Sequence, residues 1–205
     1  MIPAGDGLPV LAFVDSMAWE AWLAMQVEGC AGVWLKLAKK GNGASTLTRA
    51  QAVDGALVHG WIDGQVAAAC GDWSLVRFTP RRARSRWSEK NRLRADELLA
   101  DGRVAPRGLR EIERAKADGR WEAAYPPAST ASVPDDLAAA LDAQPAARAF
   151  FDELTGANRY AILLRIHEAK RATTRAARIE RFVAMCAAGE TLHDPPRGGR
   201  TVTEP

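Results

Sequence analysis

The stretch Gly60–Arg94, GWIDGQVAAACGDWSLVRFTPRRARSRWSEKNRLR, decides the fold. Gln65–Cys70 and Trp73–Phe78 are short apolar runs separated by Gly71-Asp72, a two-residue hairpin signal. Thr79-Pro80 closes the hairpin, because proline donates no ladder hydrogen bond and suits the first turn of a helix. Ser85 or Ser88 then caps a helix running to Asp101, with Gly102 as its stop. A hairpin that feeds directly into a helix is the signature of mixed α and β structure.

Working outward on the N-terminal side, Trp61-Ile62-Asp63-Gly64 turns the chain into the first hairpin strand, and Gly60 ends a preceding helix. That helix starts at Thr48, whose hydroxyl and the Gln51 side chain form a capping-box pattern. Before it, Val33–Lys40 alternates as a strand does, and Gly41-Asn42-Gly43 breaks it. Ser16 caps a short helix with Trp19, Trp22 and Leu23 on one face. On the C-terminal side, Pro106–Asp118 reads as a helix with Leu109, Ile112 and Ala115 inward and Gly119 as its stop.

Trp121–Thr130 carries two adjacent prolines and is the best internal boundary. Beyond it, Ser132–Asp135 resembles a capping box, Pro145 opens a helix bearing Phe150, Phe151 and Leu154, and Asn158–Ala169 places Tyr160, Leu163, Leu164 and His167 on one stripe. Thr173 or Thr174 begins a last helix with Ile179, Phe182, Val183 and Cys186 inward. The expected fold class is α+β, predominantly helical: a small antiparallel sheet of about three strands packed with helices, followed by a C-terminal helical subdomain. The expected domains are residues 11–120 and 131–188, with 1–10 and 192–205 disordered.

Charge is unevenly spread over the 205 residues. Residues 1–76 hold 4 basic and 7 acidic side chains, 77–120 hold 14 and 7, and 121–205 hold 10 and 11. Such a basic segment points to a nucleic-acid, phosphate or acidic-protein partner. A coding bias toward arginine competes with that reading, since Arg outnumbers Lys 22 to 6. Cys30, Cys70 and Cys186 lack CxxC spacing and read as reduced thiols of a cytoplasmic protein. MIPAGDGLPV is not a signal peptide, and no apolar run approaches ~18 residues, so a soluble, unexported chain without membrane insertion is expected.

The chain contains no phosphate loop, no GxGxxG, no GxSxG and no HExxH, and hence no cofactor or metal motif. His59 and Asp63 are four residues apart, with Gly60 between them breaking the helix that a dyad would need. The basic stretch carries more. If residues 82–94 are helical throughout, Arg82, Arg86, Lys90 and Arg94 form one stripe that repels by about a few tenths of a kcal/mol per pair. Between Arg77 and Lys90 the only acid is Glu89, so neutralisation of Arg77, Arg81, Arg82, Arg84 and Arg86 must come from distant carboxylates or from an external anion held by guanidinium forks.

Several segments carry a family resemblance: Gly60–Gln65, Arg77–Arg82, Ser85–Ser88 with Asn91, Asp118–Trp121, Asn158–Tyr160, Ala169-Lys170, Thr174-Arg175, Arg178-Ile179 and Phe182–Met185. In this order they resemble the YdeI/OmpD-associated bacterial family, labelled bacteriocin-protection proteins, over about Phe13–His193. The resemblance implies a setting of antimicrobial-peptide or envelope-stress resistance, with outer-membrane porins as partners, and brings no reaction, catalytic set or cofactor with it.

Three function classes follow. One is a cytoplasmic, non-enzymatic stress-protection protein acting through contacts with a protein partner. Another binds a phosphate-bearing ligand or nucleic acid through the surface of Arg77, Arg81, Arg82, Arg84, Arg86 and Lys90. The third is a small-ligand or enzyme pocket built from Trp61, Asp63, Arg77, Trp87, Ser88 and Asn91.

Overall fold

The computed structural model describes residues 6–193 apart from 28, 40, 42, 43, 45, 69 and 70. Cys70, the Asn42-Gly43 break and the terminal stretches 1–5 and 194–205 lie outside the described residues. The chain divides into two compact units, residues 1–124 and 125–205, with the division inside the proline-bearing stretch. Among the described residues no helix is long and apolar enough to cross a membrane.

The first unit contains β1 (Val10–Leu11), α1 (Ser16–Ala24), β2 (Val33–Ala38), α2 (Arg49–Val58), β3 (Trp61–Ala68), β4 (Trp73–Pro80), α3 (Glu89–Ala100) and α4 (Pro106–Ala117). Its sheet is four-stranded and mixed, in the order β1-β2-β4-β3, with β1 parallel to β2 and the other pairs antiparallel. The strand beyond the expected three is β1, whose two residues are too few to show alternation in sequence. Residues 6–11 are therefore docked: Val10 pairs with Trp34, and Asp6 accepts from the Trp34 indole at 3.1 Å.

Trp61-Ile62-Asp63-Gly64 is the start of β3 itself, with a register irregularity between Asp63 and Val66 where Gly64 sits. Pro80 ends β4 opposite Trp61, where the missing N–H costs nothing. One face of the sheet packs Val33, Leu35, Leu37, Val76, Phe78 and Trp61 against Trp19 and Leu23 of α1 and Ala52 and Ala56 of α2. A second cluster joins Leu57 and Val58 of α2 to Trp87, Leu98, Ile112 and Trp121.

Caps follow local chemistry. Thr48 and Gln51 form the full capping box of α2, and Ser88 caps α3 by accepting from the Asn91 N–H at 3.1 Å. Asp15, one residue before the expected Ser16, caps α1, its carboxylate accepting from Ala18 N–H at 2.8 Å. Residues 81–88 are a loop, so the stripe of Arg82, Arg86, Lys90 and Arg94 does not form. Arg94 instead forks onto Asp54 of α2 at 2.8 and 2.7 Å, and that bonding, together with Glu97, raises its pKa above the ordinary arginine value.

Among its described residues the second unit has four helices, α5 (Asp135–Asp142), α6 (Pro145–Glu153), α7 (Gly156–His167) and α8 (Ala172–Ala187), around Leu137, Leu141, Phe151, Ile162, Ile166, Phe182 and Val183. Ser132 does not cap α5; Pro134 occupies that position without a side-chain bond. The last helix starts at Ala172, ahead of the expected Thr173 or Thr174. On α7 the buried face is Asn158, Ala161, Ile162, Leu163 and Ile166, and His167 is exposed. Apolar residues cover more than half of that helix, so two stripes fit the sequence and packing selects one.

Candidate anion-binding cleft

Three segments of the first unit meet around a cleft of about 640 Å³: Gly29–Ala31 before β2, Thr79–Ala83 at the end of β4, and Arg107, Arg110, Glu111 and Arg114 of α4. Two glycines make this junction. Gly60, at φ +71°, sits where a Cβ would lie 3.1 Å from both the Arg107 carbonyl oxygen and the Glu111 Cγ. A Cβ at Gly108 would lie 2.3 Å from the Val58 carbonyl oxygen. Only glycine lets α4 approach the α2–β3 turn so closely. Hydrogen bonds fix the approach: Ala105 N–H donates to Val58 O at 3.1 Å, and Arg81 N–H donates to Gly60 O at 3.0 Å.

With α4 so placed, Arg107, Arg110 and Arg114 share one helix face by their i, i+3, i+7 spacing, and that face lines the cleft together with Arg81 and Arg82 at the β4 end. Among the described residues the cleft lining includes five arginines, of which Arg81 is buried, and one acidic residue. Several are held in position. Arg81, only 6% exposed, lies over the Trp87 ring with its Cζ 3.5 Å from the centroid, and donates to Arg86 O at 3.1 Å. Arg107 donates to Gln26 O at 3.3 Å, and Arg114 donates to Glu111 Oε1. Arg82 is exposed.

Glu111 is mostly shielded, and its second carboxylate oxygen is buried without a hydrogen-bond partner among the described residues. The Cys30 thiol at the cleft donates to Gln26 Oε1 at 3.6 Å. His59, the C-cap of α2, has its pKa lowered by burial; nearby Glu20 raises it and the Arg107 charge lowers it. A cleft with this excess of forked donors stabilises oxyanions through short charge-assisted bonds and disfavours cations.

Of the side chains singled out in sequence, the structure brings Arg81 and Arg82 into the cleft and disperses the rest. Arg77 points elsewhere and pairs with Asp6 at 3.5 Å. Arg84, Arg86 and Lys90 are exposed and do not line the cleft. Trp61 and Trp87 fill different core clusters, Asp63 pairs with Arg49 at 3.1 Å, and Ser88 with Asn91 serves the α3 cap. The residues expected around a pocket of Trp61, Asp63 and Trp87 are thus placed in two separate core clusters and one ion pair. His59 and Asp63 likewise serve a cap and an ion pair rather than a dyad.

Sequence reasoning missed Arg107, Arg110 and Arg114. Their spacing on a predicted helix was a usable signal, opposite the buried Gly108, Ile112 and Ala115. Nothing in that spacing says that the face meets Arg81 and Arg82.

Comparison with known families divides the chain along similar lines. Residues 11–111 match a domain of unknown function (DUF8412). Residues 130–189 match the family described as Bacteriocin-protection, YdeI or OmpD-Associated. The family match thus covers the four-helix unit, while the Gly60–Gln65, Arg77–Arg82 and Ser85–Ser88 segments fall under the uncharacterised domain. No curated protein and no solved structure matches the chain.

Proposed function

We propose that this chain is a cytoplasmic binding protein, acting without catalysis in the protective setting named by the family match over residues 130–189, and that its first unit holds a phosphate-bearing anion in the arginine-lined cleft. The observation that carries the reading is the lining itself: five arginines against one acidic residue, from the end of β4 and from α4, which Gly60 and Gly108 allow to lie close to the α2–β3 turn. Polyanions gain there from several forks at once, Arg82, Arg110 and Arg114 being exposed. Protein contacts of the protective type are supported by the family description of the second unit. The reduced-thiol reading of the cysteines supports the compartment, Cys30 and Cys186 being free.

Calorimetric titration with inorganic pyrophosphate tests this reading. One guanidinium–phosphate contact contributes about 1.5–3 kcal/mol, so Arg82→Ala and Arg110→Ala should each weaken binding by roughly 10- to 100-fold. Arg84→Ala, outside the lining, should leave it unchanged, and raised salt should weaken all of them. Absence of binding at low salt would sink the proposal. So would an oligonucleotide that binds where pyrophosphate does not and depends on Arg84 and Arg86, since the site would then be the exposed loop.

A further inference from the structure

Among the described residues six large apolar side chains are exposed, and four of them, Val14, Met17, Met25 and Val27, fall between residues 14 and 27, each 66% to 80% exposed. They belong to α1 and its two ends. Met25 is the C-cap and keeps helical backbone angles, so the helical period extends to it. Met17, Ala21, Ala24 and Met25 therefore stand at i, i+4, i+7 and i+8 on one face, and all four are exposed. The other side of α1 carries Trp19 and Leu23 into the core, with Trp22 packed against it. The one charged residue of the helix, Glu20, is paired with Arg103 at 3.2 Å. A helix face opposite the core is ordinarily polar, and this one has no polar side chain.

The order of residues along that face says what covers it. Met17 and Met25 lie four positions to either side of Ala21, Ala18 and Ala24 three, Val14 seven and Val27 six. Two antiparallel helices related by a two-fold axis set each residue against the one equally far on the other side of the axis, and an isologous contact needs just such self-complementarity. We infer that α1 is a self-association surface, through which two copies of this chain pair antiparallel about an axis at Ala21. Met17 then packs on the partner's Met25, Ala21 meets its own copy, and the small central residues let the helices approach closely. Methionine adapts its unbranched thioether to such a contact. The four large side chains expose about 500 Å², so covering them in both copies removes about 1,000 Å² from water, the lower limit for a specific interface. An association of that size is reversible and weak. It goes beyond the anion-binding reading and does not depend on it.

The test is sedimentation equilibrium of the full chain between roughly 10 µM and 1 mM, the range expected of an interface at this limit. The wild type should pass from monomer toward dimer as it is concentrated. Ala21→Glu sets two carboxylates against each other at the axis and should weaken association by more than about 10-fold. Glutamate favours helix and the position is exposed, so the variant should keep its fold, which a thermal melt establishes. Mild oxidation of Ala21→Cys should link two copies by a disulfide, because residue 21 meets itself under this symmetry; the wild type, treated alike, is the blank. A wild type that stays monomeric throughout the range would overturn the inference. So would a dimer that Ala21→Glu leaves intact, or one that Ala21→Cys does not link.

Discussion

Replacing Gly108 by alanine should detach α4 from the α2–β3 turn and thereby dismantle the cleft. An alanine Cβ would stand 2.3 Å from Val58 O, 2.8 Å from Val104 Cγ1 and 3.0 Å from Leu57 O. Ordinary carbon–oxygen contacts begin near ~3.3 Å, so α4 must withdraw by about 1 Å. The two carbonyls belong to the last turn of α2 and cannot swing aside as a side chain would. Overpacking of this kind costs about 1–3 kcal/mol. Stretching the Ala105–Val58 hydrogen bond, 3.1 Å in the native fold, costs about 1 kcal/mol more. Alanine returns about 1 kcal/mol through its helix propensity. The net expectation is a loss of about 2 kcal/mol. All seven tryptophans lie between Trp19 and Trp121, so indole fluorescence in urea follows the first unit alone. At typical slopes the midpoint should fall by roughly 1 M. Pyrophosphate affinity should fall with it. Gly64→Ala, in the same unit, is the control: its added Cβ would meet only Arg77 O, at an ordinary 3.7 Å, so the midpoint should be unchanged or slightly raised. A Gly108→Ala midpoint equal to the wild type would refute the packing argument, and retained affinity would refute the link between α4 and the cleft.

Two further outcomes concern the second unit. Asn158 is buried, donates to His193 O at 3.1 Å and accepts from His193 N–H at 2.9 Å; Asn158→Ala should cost about 1–3 kcal/mol, and an unchanged far-ultraviolet melt would contradict it. The Arg175 fork on Asp136 holds that carboxyl below its ordinary value against an opposing effect of desolvation. A depressed folded pKa gives stability that is present above the unfolded value near ~3.9 and lost as pH falls through the folded one. Asp136→Asn should therefore flatten the acid limb of the pH–stability curve, and an unaltered limb would show that the pair does not contribute.

How much was legible in sequence depended on how far each interaction reaches along the chain. The Thr48–Gln51 capping box, the Ser88 cap and the strands of β2 and β4 are set by residues within a few positions, and they form as their patterns predict. The arginine stripe that would follow if residues 82–94 were helical throughout does not form, for a longer-range reason. Arg81 stacks on Trp87 and bonds Arg86 O, and Arg120, 35 residues away, donates to Ser85 O at 2.7 Å, so the loop has partners that a helix would forfeit. The fate of the arginines was equally non-local: Arg77 is met by Asp6 and Arg94 by Asp54, neither within reach of a pattern search.

By itself, then, the sequence determined the α+β class, most element ends and the concentration of positive charge, because each follows from spacing and composition. Only the tertiary structure decided which positive charges act together. The cleft draws residues from 29–31, 79–83 and 107–114, and α4 reaches it because Gly60 and Gly108 leave no Cβ between that helix and the α2–β3 turn. Closeness of that kind is a property of packed helices and has no period in the chain.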